Sequence, residues 1–286
     1  MVMFKNCYHL CTKALEDKLL CYDKVDFQAI WNALIISAIV NGITLYCLCV
    51  MSNHIHVLLS GEKEQIARFF AAFKLKAGKH LGARYGKHTA RELSYELFPV
   101  RDRKAFCQEV AYILRNPYKA GIASPLSYKW SSAGVYFNTC IPQGQCVSDI
   151  PSKRLRSILK TRFPLPGSLQ IISGSLTPGS FIDREFVEKM FENSSVRFFN
   201  ALKTWSIEDV VNASHGQDVP DAYTDEEVLR GIKDICRDTF NGMSPRQMDQ
   251  KAMVIIVRRI RARFGCPRNQ LLRLLPVDDA LLDRAL

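Results

Sequence analysis

Two short apolar segments joined by a polar pair constrain the fold more than any other part of the sequence. The first segment covers residues 44–50 and the second residues 54–59, with Ser52 and Asn53 between them. Short apolar segments bounded by turn residues are typical of β-strands, and asparagine tolerates the left-handed backbone of tight turns. The sequence therefore predicts a β-hairpin at this point.

The second strand of this hairpin has two distinct faces. Side chains alternate along a strand, so Ile55, Val57 and Leu59 are expected to face the core. His54 and His56 then share the opposite face, with Cα atoms roughly 6.5–7 Å apart. Two imidazoles at that spacing can bind one divalent ion, but most strand histidines have no such role. The pair alone leaves metal binding and simple packing as alternatives.

The segments around the hairpin complete an alternating pattern. Residues 8–12 form a predicted first strand, in which His9 is expected to pack, with substrate contact as the alternative. Apolar residues at helical spacing predict helices over residues 26–41 and 64–84, and residues 97–100 form a predicted fourth strand. The predicted class is α+β, with a ferredoxin-like β-α-β-β-α-β order and an antiparallel sheet. We expect helices on one face of this sheet and the two histidines on the other, open face.

A further helix carries a tyrosine and an asparagine one turn apart. Residues 104–116 have helical spacing, and Pro117 is expected to end the helix after Asn116. Tyr112 and Asn116 are four residues apart, so they share one face of the helix. A helical tyrosine is most often a core residue, and the pair alone does not define a site.

Together, these two segments resemble HUH single-tyrosine transposases. Residues 51–59, Met-Ser-Asn-His-Ile-His-Val-Leu-Leu, resemble the His-hydrophobic-His motif of that superfamily. Residues 111–121, Ala-Tyr-Ile-Leu-Arg-Asn-Pro-Tyr-Lys-Ala-Gly, are similar to the REP-associated tyrosine transposase branch, as are residues 128–133, Tyr-Lys-Trp-Ser-Ser-Ala. The motifs occur in the order of the family, and the resemblance covers residues 5–137.

The resemblance implies a metal-dependent DNA strand transferase and endonuclease. Tyr112 would attack the scissile phosphate of single-stranded, hairpin-forming DNA and give a 5′-phosphotyrosine. His54, His56 and Asn116 would bind Mg²⁺ or Mn²⁺. Two imidazoles without an oxygen ligand would favour zinc, which is the weaker alternative. Self-association is compatible with the resemblance, because related transposases include monomers and dimers that share active sites.

The charge of the chain gives a second indication of a nucleic-acid partner. The formal net charge is +11, which favours a polyanion. Basic residues are concentrated after the histidine strand and around the tyrosine helix. The candidate DNA-contacting residues are Lys74, Lys76, Lys79, Arg84, Arg115 and Lys119. For each of them, a solvated surface position is the alternative.

Proline and glycine divide the chain into three predicted regions. They are a catalytic domain over residues 1–137, a linker over 138–180 and an all-α accessory domain over 181–286. Trp130 is expected to anchor the end of the first domain to its sheet, with base stacking as the alternative. The accessory domain ends in a candidate helix-turn-helix pair. Acidic residues in its second helix disfavour base reading, so packing or partner binding is at least as good an interpretation.

Other features bear on location and on rival functions. Ten cysteines without a Cys-x-x-Cys pair predict reduced thiols in a cytoplasmic protein, with no signal peptide and no membrane span. One rival function is a non-catalytic, domesticated DNA-binding protein of the same fold. Another is an RNA-binding sheet, which would present aromatic side chains where this chain has histidines.

Overall fold

The structure, a computed structural model, describes residues 4, 6–12, 19–86, 89–120, 122–203, 225–264, 266 and 268–285. Strands and helices alternate in its first part. Their order is β1 (Cys7–Thr12), α1 (Lys24–Val40), β2 (Thr44–Val50), β3 (Ile55–Ser60), α2 (Lys63–Tyr85), α3 (Thr89–Glu92), β4 (Tyr95–Pro99) and α4 (Arg103–Lys119). The chain is an α+β protein, as the sequence predicts.

The first four strands form an antiparallel sheet in the order β2-β3-β1-β4. Across β1 and β3, Cys11 is opposite His56, and Leu10 is opposite Val57. Directly opposite residues share a face of the sheet, so Cys11 and His56 lie on one face and Leu10 and Val57 on the other. The predicted antiparallel sheet is confirmed, and the histidine strand lies in its interior.

The predicted hairpin is present, but its turn has a different backbone. Ser52 and Asn53 join β2 to β3, and the Met51 N–H donates to the His54 carbonyl at 2.9 Å. Neither Ser52 nor Asn53 has a positive φ, so the left-handed backbone expected here is wrong. The Ser52 carbonyl instead accepts hydrogen bonds from the backbone N–H groups of residues 20–21 at 2.7 and 2.9 Å. These bonds hold the loop to the segment that precedes α1.

Helices cover both faces of the sheet. On one face, Phe70 of α2 contacts Tyr95 of β4 with ring centroids 4.5 Å apart, and α1 packs against α2. On the other face, Tyr112 of α4 lies 5.8 Å from His9 of β1, ring centroid to ring centroid. The expectation of an open face is therefore wrong, because α4 buries its own apolar stripe there. The buried apolar residues of this stripe include Phe106, Val110, Ile113 and Leu114.

The helix α4 continues through the proline that was expected to end it. It extends to Lys119, with Pro117 inside its last turn. Proline has no N–H to donate to the Ile113 carbonyl four residues earlier. The Asn116 side chain supplies the missing donor, because its Nδ2 lies 3.3 Å from the Ile113 oxygen and 3.0 Å from the Tyr112 oxygen. The carbonyls of this turn therefore keep their hydrogen bonds.

The segment after α4 is fastened to β2, an edge strand of the sheet. The Val50 N–H donates to the Trp130 carbonyl at 2.9 Å, and the Ser132 N–H donates to the Leu48 carbonyl at 3.0 Å. The Trp130 ring stacks on Phe27 of α1 with centroids 5.5 Å apart. Exposed strand edges favour unwanted association, so this pairing also protects the sheet. Trp130 has the anchoring contacts that the sequence predicts.

The segment predicted as a linker contains further short elements. Its elements are β5 (Gln145–Cys146), α5 (Ser152–Leu159), β6 (Gln170–Ile172) and β7 (Ser175–Leu176), and the three strands form a second sheet. Trp31 Nε1 donates to the Leu176 carbonyl, and Asn32 Nδ2 donates to the Gly174 carbonyl, both at 2.8 Å. The segment thus packs on α1. Its prolines and glycines separate short elements, of which the sequence predicts one, a short basic helix over residues 153–163 that corresponds to α5.

Two groups of helices follow. The helices α6 (Arg184–Met190) and α7 (Ser195–Lys203) contact α4 and share the core of the first sheet, so that core extends beyond residue 180. A separate core is formed by α8 (Asp225–Phe240), α9 (Gln250–Phe264), α10 (Arg268–Leu274) and α11 (Asp279–Ala285). The last two are the predicted helix-turn-helix pair. Pro267, Leu286 and residues 204–224, which the predictions also include, lie outside the described residues.

The cysteines are free thiols throughout. All ten are described without a disulfide bond, as the sequence predicts. Six of them are buried, where they pack as small apolar side chains. Within the described ranges, no helix has both the length and the apolar character that a bilayer span requires.

A buried carboxylate joins α1 to α2. Asp26 accepts hydrogen bonds from His80 at 2.6 Å, from Arg84 at 2.6 Å and from Tyr85 at 2.8 Å. Burial raises the pKa of Asp26, but the hydrogen bonds led by that of His80 lower it more, so the pKa lies below its usual value. Hydrogen bonding to Arg84 lowers the pKa of Asp23 to about 2. Both carboxylates are therefore charged at neutral pH.

We expect Asp26→Ala to lower the free energy of unfolding by about 3 kcal/mol or more at neutral pH, because it leaves buried donors without an acceptor. Since the folded-state pKa is lowered, this stabilisation is present above about pH 4 and is lost as the pH falls further. Urea unfolding of both proteins at neutral pH and at about pH 3 measures the effect. The control is Glu64→Gln at an exposed position of α2, with a change within about 0.5 kcal/mol. Equal stability of Asp26→Ala and the wild type at neutral pH would contradict the prediction.

Candidate active site

The hairpin and α4 bring together the residues predicted as nucleophile and metal ligands. The Tyr112 ring lies 5.6 Å from the His56 ring, and the His54 and His56 rings lie 4.8 Å apart, centroid to centroid. The Asn116 side chain is within hydrogen-bonding reach of His54 and His56. All four residues belong to one chain, so no second copy is needed to assemble them.

Both histidines of the hairpin are neutral at neutral pH. They are 6% and 3% exposed. Burial lowers the pKa of His54 to about 4, against the opposing effect of Asn116, whose amide oxygen would accept a hydrogen bond from the protonated ring. Burial, followed by the neighbouring His54, His9 and Lys119, holds the pKa of His56 well below its usual value. The neutral imidazole is the form that binds metal ions.

Asn53 sets the position of the proton on His54. The Nδ1 atom of His54 lies 2.8 Å from Oδ1 of Asn53. An amide oxygen only accepts hydrogen bonds, and a neutral imidazole has a single N–H, so His54 Nδ1–H is the donor. The Nε2 atom of His54 therefore keeps its lone pair. This is the nitrogen that remains to bind a metal ion.

The backbone of α4 orients the Asn116 amide. Its nitrogen donates to the Tyr112 and Ile113 carbonyls. The oxygen is therefore the atom that faces His54 and His56. An amide oxygen is a suitable ligand for Mg²⁺ or Mn²⁺. The Asn-Pro sequence thus fixes the orientation of the Asn116 amide as well as preserving the helix.

Two sets of donor atoms share His56. The first set is His54, His56 and Asn116, with two neutral imidazoles and an oriented amide oxygen. The second set is His9, Cys11 and His56, whose donor atoms lie within 4.8 Å of one another. Burial raises the pKa of Cys11 to about 12, which disfavours the thiolate that a metal needs. His9 and His56 are also already hydrogen-bonded to each other, so the first set fits a divalent ion better.

We expect Pro117→Ala to weaken Mn²⁺ binding by the candidate ligands while leaving α4 folded. Alanine restores a backbone N–H for the Ile113 carbonyl, so the Asn116 amide is no longer needed there and gains rotational freedom. The expected loss in Mn²⁺ affinity is about 3- to 10-fold, measured by titration calorimetry. Pro151→Ala, at the exposed start of α5, is the control with no expected change. Equal affinities for the two variants would contradict the prediction.

Tyr112 lies between groups with opposing effects. Burial, followed by Cys11 and Glu109, raises the pKa of Tyr112 above its usual value, so the phenol is protonated at neutral pH. The Lys119 Nζ atom lies 4.1 Å from the centre of the Tyr112 ring. Burial and the charge of Arg115 lower the pKa of Lys119 to about 8. A cation next to a phenol favours the phenolate, which is the nucleophilic form.

Two residues that contact the site were not among the predicted site residues. The Nε2 atom of His9 lies 3.0 Å from Nδ1 of His56, and Nδ1 of His9 lies 2.8 Å from Oε2 of Glu109. His9 has the packed strand position that was expected, but it also bonds to the site. The spacing of Glu109 and Tyr112, three residues apart on α4, was an available signal. The pairing of β1 with β3, which the ferredoxin-like order implies, brings His9 to His56 in a register that no sequence pattern specified.

The six predicted DNA-contacting residues fall into two groups. Arg115 lines the same cleft as Tyr112, and Lys119 contacts the Tyr112 ring. The other four lie on α2, across the sheet from the histidines: Lys74, Lys76, Lys79 and Arg84. Arg84 is held by carboxylates of α1, and Lys74 donates to a backbone carbonyl at 2.7 Å. DNA contact by the α2 residues therefore stays a prediction that is separate from the active site.

An open cleft of about 1360 Å³ leads to Tyr112 along α4. Its walls come from β1, β4, α4, α6 and α7 together with short loops. The charged residues that line it are Glu96, Asp102, Arg103, Lys104, Glu109, Arg115 and Arg197. The cleft is mixed in charge, with its cations on the helical side. The cleft makes Tyr112 accessible from solvent.

Comparisons with known proteins give one structural similarity. No protein-family model and no curated protein matches the chain. A similar solved structure is that of a REP-associated tyrosine transposase bound to a REP hairpin. The two chains are 13% identical, the TM-score is 0.40, and the match covers 59% of this chain and 93% of the other. A similarity of this size supports no statement about activity.

Proposed function

We propose that the chain is a metal-dependent DNA strand transferase and endonuclease of the HUH single-tyrosine type, related to the REP-associated branch. Its substrate would be single-stranded or hairpin DNA. The observation that carries the proposal is the convergence of Tyr112 with His54, His56 and Asn116 in one subunit. Binding DNA requires none of these four residues, whereas cleaving a strand requires a nucleophile and a means to neutralise phosphate charge.

Tyr112 is the nucleophile in this proposal. Its hydroxyl oxygen attacks the phosphorus, and the new O–P bond forms as the bond from phosphorus to the 3′ oxygen breaks. The phenolic proton goes to solvent, and the released 3′ oxygen takes up a proton to become a hydroxyl. Lys119 lowers the cost of forming the phenolate, because its ammonium group faces the Tyr112 ring. The product is a 5′-phosphotyrosine on α4.

His54, His56 and Asn116 would hold Mg²⁺ or Mn²⁺. When bound, the ion supplies Lewis-acid polarisation of the phosphate and neutralises the charge on its oxygens. The chain contributes two neutral imidazoles and one amide oxygen. Their hydrogen bonds within the protein fix their orientation, so little rearrangement is needed for binding.

The same residues support strand rejoining. A phosphotyrosine keeps one phosphoester bond for the one that is broken, so a 3′-hydroxyl can attack it and release Tyr112. The reverse step uses the same atoms in the opposite direction. Nicking and rejoining therefore need no additional site and no nucleotide cofactor.

We also propose a finer division of the fold. The element order β1-α1-β2-β3-α2-β4 and the strand order β2-β3-β1-β4 support a ferredoxin-like catalytic domain. The helices with a core of their own would be the accessory domain. Within it, Arg268 binds Asp279 at 2.7 Å and Asp283 at 2.6 Å, which favours helix packing over base reading by α11. A cytoplasmic location and self-association belong to the same proposal.

An adduct assay tests the proposed activity. The protein is incubated with Mn²⁺ and single-stranded oligonucleotides that carry hairpins from around its own gene. We expect a protein–DNA adduct that survives denaturation with detergent, and a free 3′-hydroxyl on the other fragment. Omission of the metal with EDTA, and a fully double-stranded substrate, are the controls. DNA retention without any adduct under these conditions would favour the rival function of binding without cleavage.

A further inference from the structure

A chain of hydrogen bonds runs from α4 through β1 to the histidine of β3. The Oε2 atom of Glu109 lies 2.8 Å from Nδ1 of His9, and Nε2 of His9 lies 3.0 Å from Nδ1 of His56. His9 and His56 are 5% and 3% exposed, so water does not compete freely for their nitrogens. The His9 ring also contacts the rings of Phe98 and Tyr112, which limits its rotation.

With Glu109 ionised and His9 neutral, each step of this chain has one possible donor. An ionised carboxylate only accepts hydrogen bonds, so His9 Nδ1–H donates to Glu109. Neutral His9 then has a lone pair on Nε2, which accepts a hydrogen bond from His56 Nδ1–H. Neutral His56 has no second N–H, so its Nε2 atom keeps a lone pair.

This proton arrangement matches that of the other proposed ligands. His54 donates from Nδ1 to Asn53, so its Nε2 atom also has a lone pair. The Asn116 nitrogen is used by α4, which leaves the amide oxygen as an acceptor. Three acceptor atoms without a proton then face one another, which is the arrangement that a cation requires.

We propose that His9 and Glu109 are positioning residues, which hold His56 in the tautomer that presents Nε2 to a divalent ion. The proposal rests on the proposed function, because it adds an outer layer to the same metal site. Partners of this kind set the tautomer and orientation of metal-binding histidines. The sequence assigns neither residue to the site.

The reverse direction of the chain is the competing arrangement. A doubly protonated His9 would donate to both Glu109 and His56. His56 would then accept at Nδ1 and place its own proton on Nε2, where it blocks metal binding. The two arrangements therefore differ in the charge of His9 and in which nitrogen of His56 is protonated, and a spectroscopic measurement distinguishes them.

The first experiment determines the protonation of His9 and His56 in the metal-free, full-length protein. Histidine is labelled with ¹⁵N, and two-bond ¹H–¹⁵N correlations distinguish the two tautomers and the imidazolium at neutral pH. The chain has six histidines, and His9→Phe and His56→Gln assign the two signals. We expect neutral, Nδ1-protonated imidazoles for both residues, and a mixture of His56 tautomers in His9→Phe. An Nε2-protonated His56 or a charged His9 in the wild type would overturn the proposal.

The second experiment measures Mn²⁺ affinity by titration calorimetry or by electron paramagnetic resonance of the free ion. We expect His9→Phe to weaken binding about 10- to 100-fold, because the ring shape is kept but the acceptor is lost. His9→Gln retains an amide oxygen that can accept from His56, so it should recover most of the affinity. A loss in His9→Gln as large as in His9→Phe would contradict a hydrogen-bonding role.

Glu96 on β4 gives the matched control for charge. Glu109→Gln and Glu96→Gln each remove one negative charge from the same cleft, and the Glu109 carboxylate is the one that lies 2.8 Å from Nδ1 of His9. We expect the larger loss of Mn²⁺ affinity in Glu109→Gln. Equal losses in the two variants would show that the effect is Coulomb attraction alone, and would refute the positioning role. If the wild type binds no Mn²⁺, the metal site of the proposed function fails, while the tautomer measurement still decides the role of His9.

Discussion

Tyr112→Phe is expected to abolish the protein–DNA adduct and to leave DNA binding within a few-fold of the wild type. The change removes only the hydroxyl oxygen, so the ring keeps its contacts with His9, His56 and Lys119. No other atom at this position can form the bond to phosphorus. We expect the rate of adduct formation to fall by more than about 1000-fold. Gel analysis after detergent denaturation and a separate binding titration measure the two effects.

Tyr118 provides the matched control for this experiment. It lies on the same helix, six residues further along and 51% exposed. Tyr118→Phe should form the adduct at the wild-type rate, because the hydroxyl of Tyr118 has no part in the proposed step. A normal adduct in Tyr112→Phe would show that the nucleophile is another residue, and its loss in Tyr118→Phe alone would identify that residue.

Loss of either hairpin histidine is the second change with a large expected effect. We expect His54→Ala and His56→Ala to lower DNA cleavage by more than about 100-fold, because each removes one ligand of the proposed metal site. Mn²⁺ affinity should fall in parallel, while DNA binding persists. Cleavage rates over a range of Mn²⁺ concentrations measure the effect, since a weakened site is partly rescued by excess metal.

His80 separates this effect from a general loss of stability. It is a histidine of α2 that bonds to Asp26 at 2.6 Å, on the other side of the sheet. His80→Gln should change the melting temperature but neither the Mn²⁺ affinity nor the cleavage rate per folded molecule. Wild-type cleavage by either hairpin variant would rule out the proposed ligand roles of that histidine.

The parts of the site that the sequence predicted are those set by local geometry. The alternation along β3 was enough to put His54 and His56 on one face. The helical repeat was enough to put Tyr112 and Asn116 on one face of α4. The resemblance to a family then joined the two pairs, which periodicity alone could not do, because it says nothing about how α4 crosses the sheet.

The parts that the sequence did not predict depend on contacts between distant segments. His9 reaches His56 only because β1 pairs with β3 in one register. Arg84 has the charge of a DNA-contacting residue, but it forms ion pairs with the carboxylates of Asp23 and Asp26. Local composition could not distinguish a cation that binds phosphate from one that joins two helices.

Two local rules also failed for identifiable reasons. Pro117 was expected to end α4, but the Asn116 side chain donates to the carbonyl that proline leaves without a partner. Asn53 was expected to adopt a left-handed backbone. Its side chain is instead used to bind His54, and the turn is held by bonds from residues 20–21 to the Ser52 carbonyl. Both exceptions lie at the candidate active site, and in each an asparagine side chain makes a hydrogen bond that the local rule does not consider.

The most direct test of the central claim is to locate the covalent bond on the protein. The adduct is formed with Mn²⁺ and hairpin DNA, trimmed with nuclease and digested with trypsin, which cuts after Lys104, Arg115 and Lys119. Tyr112 is then the one tyrosine of the peptide 105–115, and Tyr118 lies in the next peptide. Tandem mass spectrometry should find a nucleotide joined through phosphate to Tyr112. A nucleotide on any other residue, or none on the peptide 105–115 when the adduct forms, would contradict the proposed mechanism.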